Sequence, residues 1–144
     1  MSLITVFTPT YNRADTLSRT YRSLCRQTCK DFEWLVVDDG STDNTKGLVS
    51  QWIKESIIKI RYIHKENGGL HTGYNTAFSN ITTELNVCID SDDYMPDNAI
   101  EIIKTEWSKI INKSDIAGLI GLDFKLDNVA IGGPFQQVGD YHIH

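Results

Sequence analysis

Trp34-Leu35-Val36-Val37-Asp38-Asp39-Gly40-Ser41 runs from four consecutive apolar residues straight into a turn signal. An apolar run of strand length with no polar interruption reads as a strand covered on both faces, the pattern of a parallel sheet. Upstream, Leu17, Tyr21 and Leu24 recur at helical spacing within residues 13 to 27, and a β-rich run from Ile4 to Thr8 ends at Pro9. Downstream, Thr42 or Asp43 can cap a helix whose buried face would hold Leu48, Val49, Trp52 and Ile53. Ile57 to Ile63 reads as a third strand, Glu66-Asn67-Gly68-Gly69 as a loop, and a helix follows to about Asn80. Leu85, Val87 and Ile89 alternate, so Leu85 to Ile89 reads as a fourth strand. Pro96 suits the first turn of a helix that places Ile100, Ile103, Trp107 and Ile110 on one stripe, and Ala117 to Leu122 is a candidate fifth strand.

Strands alternating with helices predict an α/β fold with a Rossmann-like, mostly parallel sheet flanked by helices. Right-handed crossovers put the C-terminal ends of all strands on one edge, where ligands of open α/β sheets bind. Three polar clusters each follow a strand: Thr8-Pro9-Thr10-Tyr11-Asn12, Asp38-Asp39-Gly40-Ser41 and Asp90-Ser91-Asp92-Asp93. The topology therefore brings all three to one place.

The chain has 144 residues, enough for one domain spanning 1–144, with 40% hydrophobic and 23% charged residues. No apolar run approaches the roughly 20 residues of a membrane span, and the start lacks the regions of a signal peptide, so a cytoplasmic protein is expected. Cys25, Cys29 and Cys88 read as free thiols, since Cys25 and Cys29 have no second Cys/His pair with which to hold a metal. A net charge of -5 argues against non-specific nucleic-acid binding. It also raises a question of charge. No G-x-x-x-x-G-K-[ST] loop is present to receive an anionic ligand, which leaves a divalent cation as the natural counter-charge.

Asp90-Ser91-Asp92-Asp93 packs three carboxylates into four residues. Such hard oxygen ligands suit Mg²⁺ or Mn²⁺, which can bridge carboxylate and diphosphate oxygens. The plainer reading is an acidic turn in which Asp93 or Asp97 caps the following helix. Asp38-Asp39 is either an ordinary strand-to-helix turn, with Asp43 as N-cap, or a carboxylate that accepts a base N–H or a ribose hydroxyl. Tyr11 can be core or stacking platform, and its place after Pro9 favours an exposed ring. Asn67-Gly68-Gly69, followed by His71 and Asn75, is either a simple loop or a set of backbone N–H groups open to a phosphate. His142 and His144 read as solvated.

These residues, taken in order, resemble the inverting glycosyltransferases of family 2, which have the GT-A fold. The resemblance rests on Thr8-Pro9-Thr10-Tyr11-Asn12-Arg13, Val37-Asp38-Asp39-Gly40-Ser41-Thr42-Asp43, Asn67-x-Gly69-x-x-x-Gly73-x-Asn75 and Asp90-Ser91-Asp92-Asp93, and covers residues 3 to about 110. It implies that Tyr11 lies against a nucleobase in a pocket lined by Thr8 and Pro9, and that Asp39 reads the base, most often uracil. It implies that Asp92 is the main ligand of Mn²⁺ or Mg²⁺, that Asp90 faces the ribose or the metal's water shell, and that His71 and Asn75 sit near the donor. The implied reaction moves a sugar from a nucleotide-diphosphate sugar, a UDP-sugar, to a glycan or lipid-linked acceptor in one displacement with inversion. The implied enzyme works in the cytoplasm, with room for peripheral attachment at the inner membrane face. Leu70 and Tyr74 depart from the pattern, standing where some relatives carry lysine and arginine, which leaves more of the diphosphate charge to the metal.

The acceptor-side part of such domains, with the carboxylate that deprotonates the acceptor, follows the Asp-x-Asp strand. Asp123, Asp127 and Asp140 lie in no context that matches this base, so it is expected beyond residue 144, and the fold reads as truncated on its acceptor side. Three rivals remain. A donor-binding fragment without transferase activity would keep the same pocket. A sugar-nucleotide nucleotidyltransferase would want a basic Gly-rich loop after the first strand. A receiver-like signalling domain would give Asp90 to Asp93 no purpose.

Overall fold

Trp34, Leu35, Val36 and Val37 have no exposed surface, as a strand covered on both faces requires. The computed structural model describes residues 4–119, 121, 125, 129 and 131. Its elements are β1 (Ile4–Thr10), α1 (Ala14–Cys25), β2 (Phe32–Asp38), α2 (Thr45–Glu55), β3 (Lys59–His64), α3 (Leu70–Asn80), β4 (Leu85–Cys88) and α4 (Ala99–Ile110). All four strands are parallel, in the order β3-β2-β1-β4. Helices flank the sheet, which is the predicted fold class. A first compact unit ends at Glu101. In the second, which begins at Ile102, Ala117 to Leu119 lie in no regular element, and part of the expected fifth strand falls outside the described residues.

The alternation of β2 separates two apolar layers. On one face Trp34 stacks with Tyr21 of α1 and Trp52 of α2, the Tyr21 and Trp52 ring centres being 4.3 Å apart and nearly parallel. On the other, Leu35 and Val37 cluster with Phe7 of β1 and Ala77 of α3, and Tyr74 meets Phe7 edge-on at 5.6 Å. Offset and edge-on pairs of this kind each add roughly 0.5–1.5 kcal/mol beyond simple burial.

Two local readings change. Ile53 and Ile57 are exposed, so the buried face of α2 is narrower than its periodicity allows, and β3 starts at Lys59. The first strand also runs through Pro9 to Thr10, with Pro9 opposite Val37. A proline is tolerated in this inner strand because pairing to β4 stops at Phe7 opposite Cys88. Phe7 turns its carbonyl to the β4 side, accepting from Ile89 N, whereas Thr10 turns its carbonyl to β2, accepting from Asp39 N. By the period of two, the missing N–H of Pro9 points to the β4 side, just past the end of that ladder.

The strand order also reverses at β1, with β2 and β3 on one side and β4 on the other. A crevice between the C-terminal ends of β1 and β4 is where such a sheet binds its ligand.

Candidate functional site

A cleft of about 510 Å³ opens at that reversal. Pro9 and Thr10 wall it at the end of β1 and Tyr11 and Arg13 just past it, Asp39 after β2, Asn67 and Gly69 before α3 and Leu70 and Gly73 on it, and Asp90, Ser91 and Asp92 after β4. The structure thus brings together five of the residues picked from the sequence: Pro9, Tyr11, Asp39, Asp90 and Asp92. Tyr11 is 47% exposed, so its ring is available to stack.

Three other candidates are not among the walls. Thr8 is fully buried, and its hydroxyl accepts from the Trp34 indole at 2.9 Å. Alternation turns its side chain to the face opposite that of Pro9. His71 and Asn75 are exposed on α3, the helix that contributes Leu70 and Gly73 to the cleft.

The turn after β1 is tied to the turn after β2 by Asn12, which adopts a positive φ of 52°. Asparagine tolerates this region better than most residues. Its Oδ1 accepts from Thr42 N at 2.7 Å and Asp43 N at 3.3 Å, and its own N–H donates to Ser41 Oγ at 2.9 Å. Asp43 precedes the N-cap of α2, which is Asn44, but it serves two helices: Oδ1 accepts from Thr45 N and Oδ2 from Ala14 N, both at 3.0 Å. Burial raises the Asp43 carboxyl, and these hydrogen bonds outweigh it, leaving the group below its ordinary range.

Asp38 and Asp39 have different tasks. Asp38 has no exposed surface. Tyr62 donates to its Oδ2, Ser41 N donates to its Oδ1 at 2.8 Å, and His64 Nδ1 lies 3.4 Å from Oδ2. Burial pushes this carboxyl up, but its donors hold it below the ordinary carboxylate range. Asp39 reaches the cleft, held by Lys65, by Gly68 N at 3.0 Å and by Gly69 N at 2.8 Å. Burial likewise opposes its ionisation and is outweighed, chiefly by Lys65. The N–H groups of Gly68 and Gly69 are therefore turned to Asp39 in this structure. Gly40, at φ 83°, lets the 65–69 loop lie this close, since a β-carbon there would stand 2.8 Å from Asn67 N.

Asp90 to Asp93 form a tight turn closed by Asp93 N donating to Asp90 O at 3.1 Å. Polar side chains on α1 and just past its C-terminal end position it. Thr20 Oγ1 donates to Asp93 O at 2.7 Å, Ser23 Oγ accepts from Met95 N at 3.1 Å, and Gln27 both donates to Pro96 O at 2.7 Å and accepts from Ile100 N at 3.1 Å. Arg19 adds a bond to Asp92 O. The cap of α4 is thus supplied in part by Gln27, a buried side chain just beyond the end of α1. These residues, with Lys65, escaped sequence reading. Their only signal is polarity at positions 20, 23 and 27, in register with the apolar stripe of Leu17, Tyr21 and Leu24.

The side chains of Asp90 and Asp92 are exposed and make no hydrogen bond or ion pair among the described residues. Nor do three or more His, Cys, Asp or Glu side chains gather there into a closed metal cage. Two open carboxylates beside a cleft fit a hard cation that completes its shell with ligand oxygens and water, as Mg²⁺ and Mn²⁺ do.

Comparison with known proteins agrees with this architecture. The chain is 31% identical over 138 residues to an uncharacterized glycosyltransferase of Nostoc sp., a match covering 91% of this chain and 42% of that protein. It superposes on S. aureus TarS 1-349 in complexes with UDP and with UDP-GlcNAc, in each case at a TM-score of 0.70 and 27% identity, over 76% of this chain and 32% of that one. It also superposes on the mannosyltransferase PcManGT of Pyrobaculum calidifontis in complex with GDP-Man and Mn²⁺, at a TM-score of 0.68 and 25% identity, over 79% of this chain and 33% of that one. The chain thus spans less than half the length of each of these relatives. The model described as Glycosyl transferase family 2 matches residues 5–111, from the first strand through the Asp90–Asp93 turn into α4, and the chain belongs to that family.

Proposed function

We propose that this chain binds a nucleotide-diphosphate sugar, a UDP-sugar, and that the protein it represents transfers the sugar to a glycan or lipid-linked acceptor with inversion, assisted by Mn²⁺ or Mg²⁺. The observation that carries this reading is the single cleft where Tyr11, Asp39, Asp90 and Asp92 meet. Tyr11 offers a ring to the base, Asp39 an acceptor to its N–H, and Pro9 a rigid apolar wall. Asp92, with Asp90 beside it, would hold the cation, which when bound stabilises negative charge on the leaving diphosphate. His71 and Asn75 stand on the helix bordering the cleft and are assigned to the outer part of the donor. Family membership and the nucleotide complexes of TarS and PcManGT support a nucleotide-sugar donor. Cytoplasmic work, with attachment at the inner membrane face, is part of the same proposal. Among the described residues no helix is long and apolar enough to cross a membrane.

The test is calorimetry of UDP binding in Mn²⁺ and in EDTA. Binding that requires the metal supports the reading, and equal affinity in both overturns its metal component. Release of UDP from UDP-sugars, with and without a panel of glycan acceptors, tests transfer.

A further inference from the structure

Asp39 is surrounded unevenly. Its Oδ1 accepts from two donors, Lys65 Nζ and Gly68 N at 3.0 Å, while the nearby Thr72 hydroxyl gives its one proton to Gly69 O at 2.8 Å. Its Oδ2 accepts from one, Gly69 N at 2.8 Å. Each carboxylate oxygen has about two lone-pair sites. Oδ1 is therefore saturated, and the remaining acceptor capacity of this cleft-lining carboxylate lies on Oδ2. Lys65 is fixed in that place rather than free to swing, since Nζ also bonds Glu66 O and Thr72 Oγ1, the latter at 2.8 Å. Its backbone N–H donates to Asp38 O at 2.9 Å, and its side chain is only 22% exposed. No other cation pairs with Asp39 among the described residues.

We infer that Lys65 is a positioning residue that sets base selectivity by closing Oδ1 of Asp39 and leaving a single acceptor, Oδ2, to the nucleobase. The inference rests on the nucleotide-binding reading above. A uracil edge offers one imino N–H between two carbonyls and is satisfied by one acceptor. A guanine edge offers an imino N–H and an amino N–H side by side and is best met by both oxygens of a carboxylate. With Oδ1 closed, guanine must bury an unpaired amino hydrogen, and leaving a buried donor unpaired is what makes such discrimination strong. Lysine does this as a compact charge, and arginine at the same place can still reach Oδ1.

The experiment measures UDP and GDP affinity by calorimetry in Mn²⁺ for the unmodified chain, Lys65→Met, Lys65→Arg and Thr72→Val. The unmodified chain should prefer UDP. Lys65→Met should narrow the UDP-to-GDP ratio by about tenfold, the equivalent of one charge-assisted hydrogen bond, mainly through gained GDP affinity. Lys65→Arg should restore the ratio. Thr72→Val, which removes an acceptor that helps hold Lys65 Nζ against that oxygen, should shift it less and in the same direction, and it carries the test if Lys65→Met does not fold. A Lys65→Met chain that loses UDP and GDP affinity equally is a merely structural outcome and overturns the inference while leaving nucleotide binding intact. An unmodified chain that binds neither nucleotide overturns both.

Discussion

Gly73 of α3 lies so close to Pro9 of β1 that a β-carbon on Gly73 would stand 3.3 Å from the Cβ of Pro9. Both residues wall the cleft. The helix gives up intrinsic stability at this glycine in order to approach the strand end.

Gly73→Val is accordingly expected to destabilise the protein by roughly 1–3 kcal/mol, since Pro9 is held in the β1–β2 ladder and cannot retreat. The added methyls narrow the cleft as well. A thermal melt and a UDP titration should therefore move together. Loss of affinity at an unchanged melting temperature would mean that Pro9 does give way.

Asp92→Asn should act in the opposite manner. Its side chain is exposed and unpaired among the described residues, so stability should stay within about 0.5 kcal/mol. Metal-dependent UDP binding should fall to the level seen in EDTA. Calorimetry with a parallel melt checks both halves of this expectation.

Acid should destabilise the strand ends. Asp38, Asp39 and Asp43 all ionise more readily in the fold than usual, and so does Glu33, where Lys59 at 2.8 Å and Arg61 at 3.0 Å outweigh the burial that opposes ionisation. A depressed folded value means that the stabilisation is complete above the unfolded pKa of about 4 and is lost as pH falls through the folded values. Unfolding free energy measured by urea titration should be flat from pH 7 to about 5 and decline below that. Asp38→Asn should lower the plateau by roughly 1–3 kcal/mol and make the decline shallower, because Tyr62 and Ser41 N lose a charged acceptor.

Thr10 is 3% exposed, and its hydroxyl is buried without a hydrogen-bond partner among the described residues. Thr10→Val keeps the shape and removes the unpaired group. The expected result is a stability gain of up to about 1 kcal/mol in a melt, with UDP affinity unchanged. A drop in affinity would instead show that the hydroxyl turns to the ligand.

Most of the frame was legible in the residues. The apolar run at Trp34–Val37, the helical spacing of Leu17, Tyr21 and Leu24, and the alternation of Leu85, Val87 and Ile89 each report a period, and a period is a local property of the backbone. The turns after β1, β2 and β4 were legible for the same reason, and parallel topology then required them to meet. Ile53 and Ile57 mark where this reasoning stops. Periodicity says which side chains can share a face, but burial depends on a neighbour arriving to cover them, and these two stay exposed.

Tertiary structure alone decided which polar groups face the cleft and which hold it open. Thr20, Ser23 and Gln27 read as an unremarkable side of a helix until residues about 70 positions later close onto them. Thr8 and Pro9 are neighbours in the chain, yet one is sealed under Trp34 and the other walls the site. Asp38 and Asp39 are the same residue twice in sequence, but the first is enclosed by Tyr62 and Ser41 while the second meets Lys65 across a loop. A carboxylate's role depends on the donors around it and on its access to water, and those are set by packing between segments distant in the chain, which no local pattern encodes.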